Sequence, residues 1–202
     1  TALALRLGHR NSVDFDFFTN QPVSANVLSR SLAFLDGAEL IQSEPNTATF
    51  TVNRGGPIKV SFFGGLTIGR VGKPDRCDDN HVCIASLLDL AAQKLKVILV
   101  RAEPKDYFDI YTLLQAGVTL PEALGATKAL YPEFNAVLSL KALTYYGEPT
   151  LASLPAGVRE YLTEESAKVE SVKTIPKIAL SINTPVSIRK AHTRKRSKGI
   201  RI

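Results

Sequence analysis

The run Thr1-Ala2-Leu3-Ala4-Leu5-Arg6-Leu7-Gly8-His9-Arg10-Asn11-Ser12-Val13-Asp14-Phe15-Asp16-Phe17-Phe18 constrains this chain more than any other. It reads as the end of an apolar helix over residues 1–8, closed by Gly8 in the manner of a C-cap glycine. A polar turn follows, and then a strand over residues 12–18. Side chains two apart on a strand point to the same face. Asp14 and Asp16 therefore project together, and Phe15 and Phe17 point the other way. Two carboxylates on one face repel each other unless a cation lies between them. A divalent metal carrying phosphates suits that place; two solvated acids on an exposed face are the plain alternative.

The rest of the chain divides by period. Pro22 opens a predicted helix running to about Leu35, stopped by Asp36-Gly37. Strands are expected over residues 39–43, 47–52 and 58–63, joined by the turn sequences Glu44-Pro45-Asn46 and Asn53-Arg54-Gly55-Gly56-Pro57, as an antiparallel meander. Gly55-Gly56 and Gly64-Gly65 read as turns, not phosphate loops. A last short strand is expected over residues 82–85. From Ser86 the period becomes helical. Ser86 caps a helix predicted to reach Ala102, with Asp89 in its first turn. Pro104 starts the next helix, to residue 116, ended by Gly117. Thr119-Leu120-Pro121-Glu122 opens another, to about Leu130; residues 134–146 and 157–172 complete the series.

Strands followed by helices predict an α+β fold with a small mixed or antiparallel sheet and a helical C-terminal subdomain. The expected units are residues 1–85 for the sheet core, 86–172 for the helical part, and 173–202 for a basic tail that is extended or disordered.

Here the residues resemble a known family. The opening run is similar to the first motif of the AbiEii/AbiGii nucleotidyltransferase toxins, a branch of the DNA polymerase β-like superfamily. Thr1, Ala2, Leu3, His9, Arg10, Ser12, Asp14, Asp16 and Phe18 match it. A second match runs from Leu90-Ala91-Ala92-Gln93-Lys94-Leu95 to Arg101-Ala102-Glu103-Pro104-Lys105-Asp106-Tyr107-Phe108-Asp109-Ile110, and Leu140 to Tyr146 is a weaker echo. The resemblance spans residues 1 to 146. It implies a magnesium-dependent enzyme that transfers a nucleoside monophosphate from a triphosphate to a hydroxyl of RNA, transfer RNA included, or of protein. It also implies a cognate antitoxin.

The same resemblance assigns roles. Asp14 and Asp16 would hold Mg2+. Lys94 would meet phosphate, and Asp106 and Asp109 would support the site as catalytic residues. Thr1, His9, Arg10, Ser12 and Lys105 would contact the nucleotide. Read by themselves, His9 and Arg10 equally suit the C-terminus of the first helix. Arg10 also suits a nearby acid, and Lys94, Lys105, Asp106 and Asp109 suit surface ion pairs. Two departures stand out. The family places two glycines ahead of Thr1, and the chain as given lacks them; with no methionine either, a fragment or a processed chain is expected. Many polymerase β-like transferases also carry a third carboxylate on a later strand, where this chain has Ile58-Lys59-Val60-Ser61-Phe62-Phe63. Asp106 or Asp109 would take that task, or the reaction would differ, or the protein would bind nucleotide without turnover.

Charge and cysteine complete the reading. The net charge of +6 is concentrated in residues 187–202, which hold seven basic residues and no acid; the remaining 18 basic residues face 19 acidic ones. Such a tail suits a polyanion or is simply a solvated end. Cys77, His81 and Cys83 offer three ligands at no recognised zinc spacing, so reduced thiols are expected. Phe15, Phe17, Phe62 and Phe63 are expected in the core. No apolar stretch approaches the ~20 residues that cross a bilayer. No membrane contact is expected, and a cytoplasmic location is.

Overall fold

The computed structural model describes residues 1–77 and 82–183. Asp78 to His81 and the basic run after Asn183 lie outside the described residues, and so do the expectations for His81 and the tail.

A short helix α1 (Ala2–Leu7) ends at Gly8, which adopts the left-handed conformation (φ 60°) and donates its N–H to the Ala4 carbonyl. A Cβ would be strained there, which is why a glycine makes the turn. Strand β1 (Asp14–Phe18) follows. The helix expected over residues 22–35 is shorter: α2 covers Ala25–Ser31, Leu32 is extended, and a 3-10 turn covers Ala33–Leu35. The break swings Leu35 under the sheet, where it is buried with Phe50 and Phe62.

Strands β2 (Glu39–Glu44), β3 (Thr47–Asn53) and β4 (Pro57–Phe63) form the expected antiparallel meander, and β1 adds to it parallel to β4, giving the order β1-β4-β3-β2. A crossover through α2 is what lets two parallel strands lie side by side. One face of this sheet, with Phe15, Phe17, Ala48, Phe50, Val52, Val60 and Phe62, packs on α2 and the 3-10 turn. A two-stranded ribbon, β5 (Asp75–Arg76) with β6 (Cys83–Ile84), stands apart. Arg6 of α1 ties it down through Asp75 and the carbonyls of Ile84 and Ala85.

The helical half comprises α3 (Leu87–Val97), α4 (Pro104–Gln115), α5 (Leu120–Leu130), α6 (Ala136–Thr144) and α7 (Ala156–Ala167). Its core includes Leu95, Leu113, Leu120, Leu124, Leu143 and Leu162, together with Leu3 of α1. Helix α3 stops five residues before the predicted end. Val97, Ile98 and Val100 are β-branched and weaken helix propagation, and the chain winds into a tight turn there. Asp89 is the hinge pin between the halves. Ser86 caps its N–H, and its carboxylate accepts the N–H groups of Val71 and Gly72.

Residues 173–183 depart from the loose tail expected of them. They run back from the helices to the sheet as a strap. Lys173 N–H donates to the Pro121 carbonyl, Ile175 packs with Ala126 and Leu130, and Arg70 and Ala179 form an antiparallel bridge. Asn183 then accepts from Asn20 N–H and the Thr19 hydroxyl, at the end of β1.

Candidate functional site

The second face of the sheet is polar at one end. Register places Asp14 opposite Lys59 and Asp16 opposite Ser61; Lys59 in turn faces Thr51, and Ser61 faces Thr49. Paired residues share a face, so both carboxylates project from it together. Neither takes a hydrogen bond or ion pair from a described residue. Ser61 is buried and accepts a 3.3 Å hydrogen bond from the Thr49 hydroxyl. A second hydroxyl therefore occupies the position where a third acid would stand.

The turn after Gly8 carries His9 and Arg10 across to α4. Arg10 grips Asp109 at two points, Nε to Oδ1 at 2.7 Å and Nη2 to Oδ2 at 2.9 Å. His9 Nε2 meets Asp109 Oδ1 at 2.7 Å, and its ring stacks on Phe108. Lys94 of α3 bridges Asp109 and Asp106, reaching Asp106 Oδ1 at 2.7 Å. Arg101 Nε closes the series on Asp106 Oδ2 at 3.0 Å. Asp106 and Asp109 are completely buried, one helical turn apart on α4. Burial opposes the charge of Asp109. The Arg10 hydrogen bonds, the Lys94 charge and the His9 contact more than offset it, and hold the carboxyl well below the usual carboxylate range. The Asp109 hydrogen bond raises the guanidinium of Arg10 in return.

This geometry alters the parts expected of α4. Asp106 and Asp109 are not surface ion pairs, and their oxygens are already engaged by basic groups. Asp109, held so far down its scale, is a poor base, and both oxygens of Asp106 are taken up by Lys94 and Arg101, so neither is placed to do the work of the missing third acid. What they do is fix Lys94 and Arg10. Period alone puts Arg101 on the helix of Lys94; it lies instead beyond the end of α3 and reaches Asp106 from the turn. Lys105 touches neither buried acid; it pairs with Glu103 at 3.0 Å, and Glu103 in turn with Arg101 at 3.3 Å, at the outer edge of the network. Thr1 and Ser12 lie together, hydroxyl to hydroxyl at 2.9 Å. Arg10, fastened to Asp109, and Ser12 lie just ahead of Asp14 at the start of β1, so the turn ties the network to the strand that carries the carboxylate pair.

Of the four phenylalanines read as core, Phe15, Phe17 and Phe62 are there. Phe63 is not. It shares the face of Asp16 and stacks on Phe18. Strand alternation carries that information, since Phe18 and Phe63 lie two residues beyond Asp16 and Ser61. Cys77 and Cys83 are free thiols. Cys83 pairs with Arg76 in the ribbon, and the Cys77 N–H donates to the Val82 carbonyl just beyond it. No cluster of three or more potential metal ligands occurs among the described residues. Nor is any helix among them long and apolar enough to cross a membrane.

Comparison with known proteins places the chain in a family. Residues 1–171 match the family described as "Nucleotidyl transferase AbiEii toxin, Type IV TA system". A relative from Aquifex aeolicus (strain VF5), described as the uncharacterized protein aq_aa25, is 31% identical over 149 residues, which is 72% of this chain and 70% of that protein. The chain belongs to the AbiEii nucleotidyltransferase toxins of type IV toxin–antitoxin systems.

Proposed function

We propose that the protein is a Mg2+-dependent nucleotidyltransferase that moves a nucleoside monophosphate from a triphosphate to a hydroxyl of RNA or protein. The observation that carries this reading is the pair Asp14 and Asp16, side by side on β1 without a described partner, and tied by the preceding turn to a network that leads to Lys94.

The donor set fits the metal. Mg2+ binds through one or two carboxylates and leaves its other positions to water and substrate phosphates. Two free carboxylates on one strand face meet that need, so a cluster of three protein ligands is not required. When bound, the ion would neutralise charge on the phosphoryl oxygens and orient the transfer. Lys94 has three ammonium protons, and Asp106 and Asp109 engage two. The third is free for a phosphate oxygen. Because Lys94 is already pinned, little reorganisation is needed when negative charge builds up on that oxygen. Arg10 and His9 hold Asp109, and Arg101 holds Asp106, so all three act as positioning residues for Lys94. Thr1 and Ser12 offer hydroxyls just ahead of the same strand.

Ser61 favours a second reading. Its hydroxyl is buried against Thr49, so the sheet offers no general base beside Asp16. A protein that binds nucleotide or RNA without turnover would have this feature. One experiment separates the two. The protein is incubated with each triphosphate labelled at the α-phosphate, Mg2+, and total cellular RNA and protein. Transfer of label that disappears in Asp14→Ala supports the enzyme. Transfer unchanged in that variant refutes the metal assignment. Binding of triphosphate without pyrophosphate release supports the silent module. Membership of a type IV system implies an antitoxin partner.

A further inference from the structure

The carboxylate face continues beyond Asp16. In steps of two, β1 presents Asp14, Asp16 and Phe18, while β4 presents Lys59, Ser61 and Phe63. The rings of Phe18 and Phe63 stack with centroids 5.2 Å apart and planes 18° from parallel. The neighbouring pair, Phe17 on Phe62, lies on the opposite face and belongs to the core. Phe18 differs: 49% of its surface is open. A flat, half-open aromatic pair thus adjoins two unpartnered carboxylates. Just past it, where β1 ends, the Thr19 hydroxyl and the Asn20 N–H donate to the side-chain oxygen of Asn183, so the chain beyond the aromatic pair is polar. An apolar surface with a few polar groups at its edge is what a small-molecule subsite needs.

We propose that Phe18 and Phe63 form the platform on which the nucleobase of the donor triphosphate stacks. The proposal rests on the function argued above. One strand period separates Phe18 from Asp16, about 6.7 Å, and a nucleotide places its base one sugar away from its α-phosphate. Phosphates held at Asp16 therefore bring the base over Phe18. Every base has a π-face, so a stacking platform favours nucleotides over bare phosphates while discriminating weakly among bases.

Binding of radiolabelled ATP, GTP, CTP and UTP with Mg2+, with tripolyphosphate as competitor, tests this in wild type, Phe18→Ala and Phe18→Trp. The chain contains no tryptophan, so Phe18→Trp installs a single reporter at the platform. The expected result is a loss of about ten-fold in nucleotide affinity for Phe18→Ala, with tripolyphosphate binding unchanged. Phe18→Trp should retain affinity, and its emission should be quenched by each nucleotide and not by tripolyphosphate. Nucleotide affinity equal to wild type in Phe18→Ala would overturn the proposal, as would Trp emission that saturating nucleotide leaves unchanged. A defect confined to the KM of an RNA acceptor would also overturn it, since the stacked base would then belong to the acceptor. If wild type binds neither nucleotide nor tripolyphosphate, the triphosphate reading itself falls, a result distinct from a defect confined to Phe18 variants.

Discussion

Arg10 and Asp109, 99 residues apart in the chain, are joined by two parallel hydrogen bonds of 2.7 and 2.9 Å. This fork fastens the turn that leads into β1 to the centre of α4. Its geometry requires a guanidinium, because an ammonium offers a point charge and no planar pair of donors. Arg10→Lys is expected to lower stability by about 1–3 kcal/mol. Arg10→Ala, which removes one partner of a buried pair, should cost about 3–5 kcal/mol. Urea denaturation of wild type and the two variants checks the order. Equal midpoints for wild type and Arg10→Lys would show that the fork is not used.

Asp109 also makes an acid limit. Its carboxyl is held below the ordinary carboxylate range in the folded protein, so the unfolded chain takes up the proton first. The stabilisation is complete above the unfolded value of about 3.9 and drains away as pH falls through the lower folded value. Glu122, held at about 2 by hydrogen bonds from Lys173 and Thr119, adds a loss of the same sign. Wild-type stability should therefore fall steeply between about pH 5 and pH 2. Asp109→Asn should be less stable near neutral pH and shallower in acid, with the Glu122 slope remaining. Denaturation midpoints across that range read the difference directly.

Asp14 and Asp16 should behave in the opposite way. Neither has a described partner to lose, so Asp14→Asn and Asp16→Asn are expected to change stability by no more than about 0.5 kcal/mol. What they should lose is linkage to ligand. Mg2+ with a triphosphate at about 100 times its dissociation constant should stabilise wild type by about 2.7 kcal/mol and the double variant hardly at all. Thermal unfolding with and without ligand makes the comparison. A double variant that unfolds as readily as an Arg10→Ala protein would mark the two acids as structural.

Ser61 gives a sharper view of the missing acid. Ser61→Ala removes the acceptor of the Thr49 hydroxyl in a buried place, at a cost of about 1 kcal/mol. If the transfer of label occurs and Ser61 takes no part in moving the proton, its rate in Ser61→Ala should stay within about two-fold of wild type, as expected where positioning and charge supply most of the catalysis. A loss of about 100-fold, the least that proton transfer by a positioned side chain contributes, would give Ser61 a part in the reaction.

These contrasts follow what the sequence displays and what it hides. Alternation exposes the Asp14–Asp16 face directly, because period two is local. Caps are equally legible: Gly8, Ser86, Pro104, and Thr119 with Glu122 all mark helix ends as observed. The partners of Asp106 and Asp109 are not. Lys94 is 12 residues from Asp106 and His9 is 100 from Asp109, and nothing in a linear pattern says which distant charges meet. Spacing alone reads these acids as exposed pairs, whereas burial turns them into the fixed base of Lys94. Phe63 misleads for a simpler reason: an aromatic in an apolar run suggests core, although its register with Phe18 puts it on the polar face.

The strap over residues 173–183 is the least legible part, since it has no periodicity and binds through backbone groups. Gly125 on α5 reports on it. A Cβ built there would collide with the Lys173 carbonyl and come within 3.1 Å of Ile175. Alanine normally gains about 1 kcal/mol over glycine inside a helix. Here that gain is opposed by the need to push the strap away, which for an overfilled contact costs about 1–3 kcal/mol. Gly125→Ala should therefore be neutral to destabilising. Gly157 on α7 has open space where its Cβ would lie, so Gly157→Ala should be neutral to stabilising. Melting temperatures of both variants beside wild type decide the matter. A rise for Gly125→Ala that equals the one for Gly157→Ala would mean that residues 173–175 do not rest on α5.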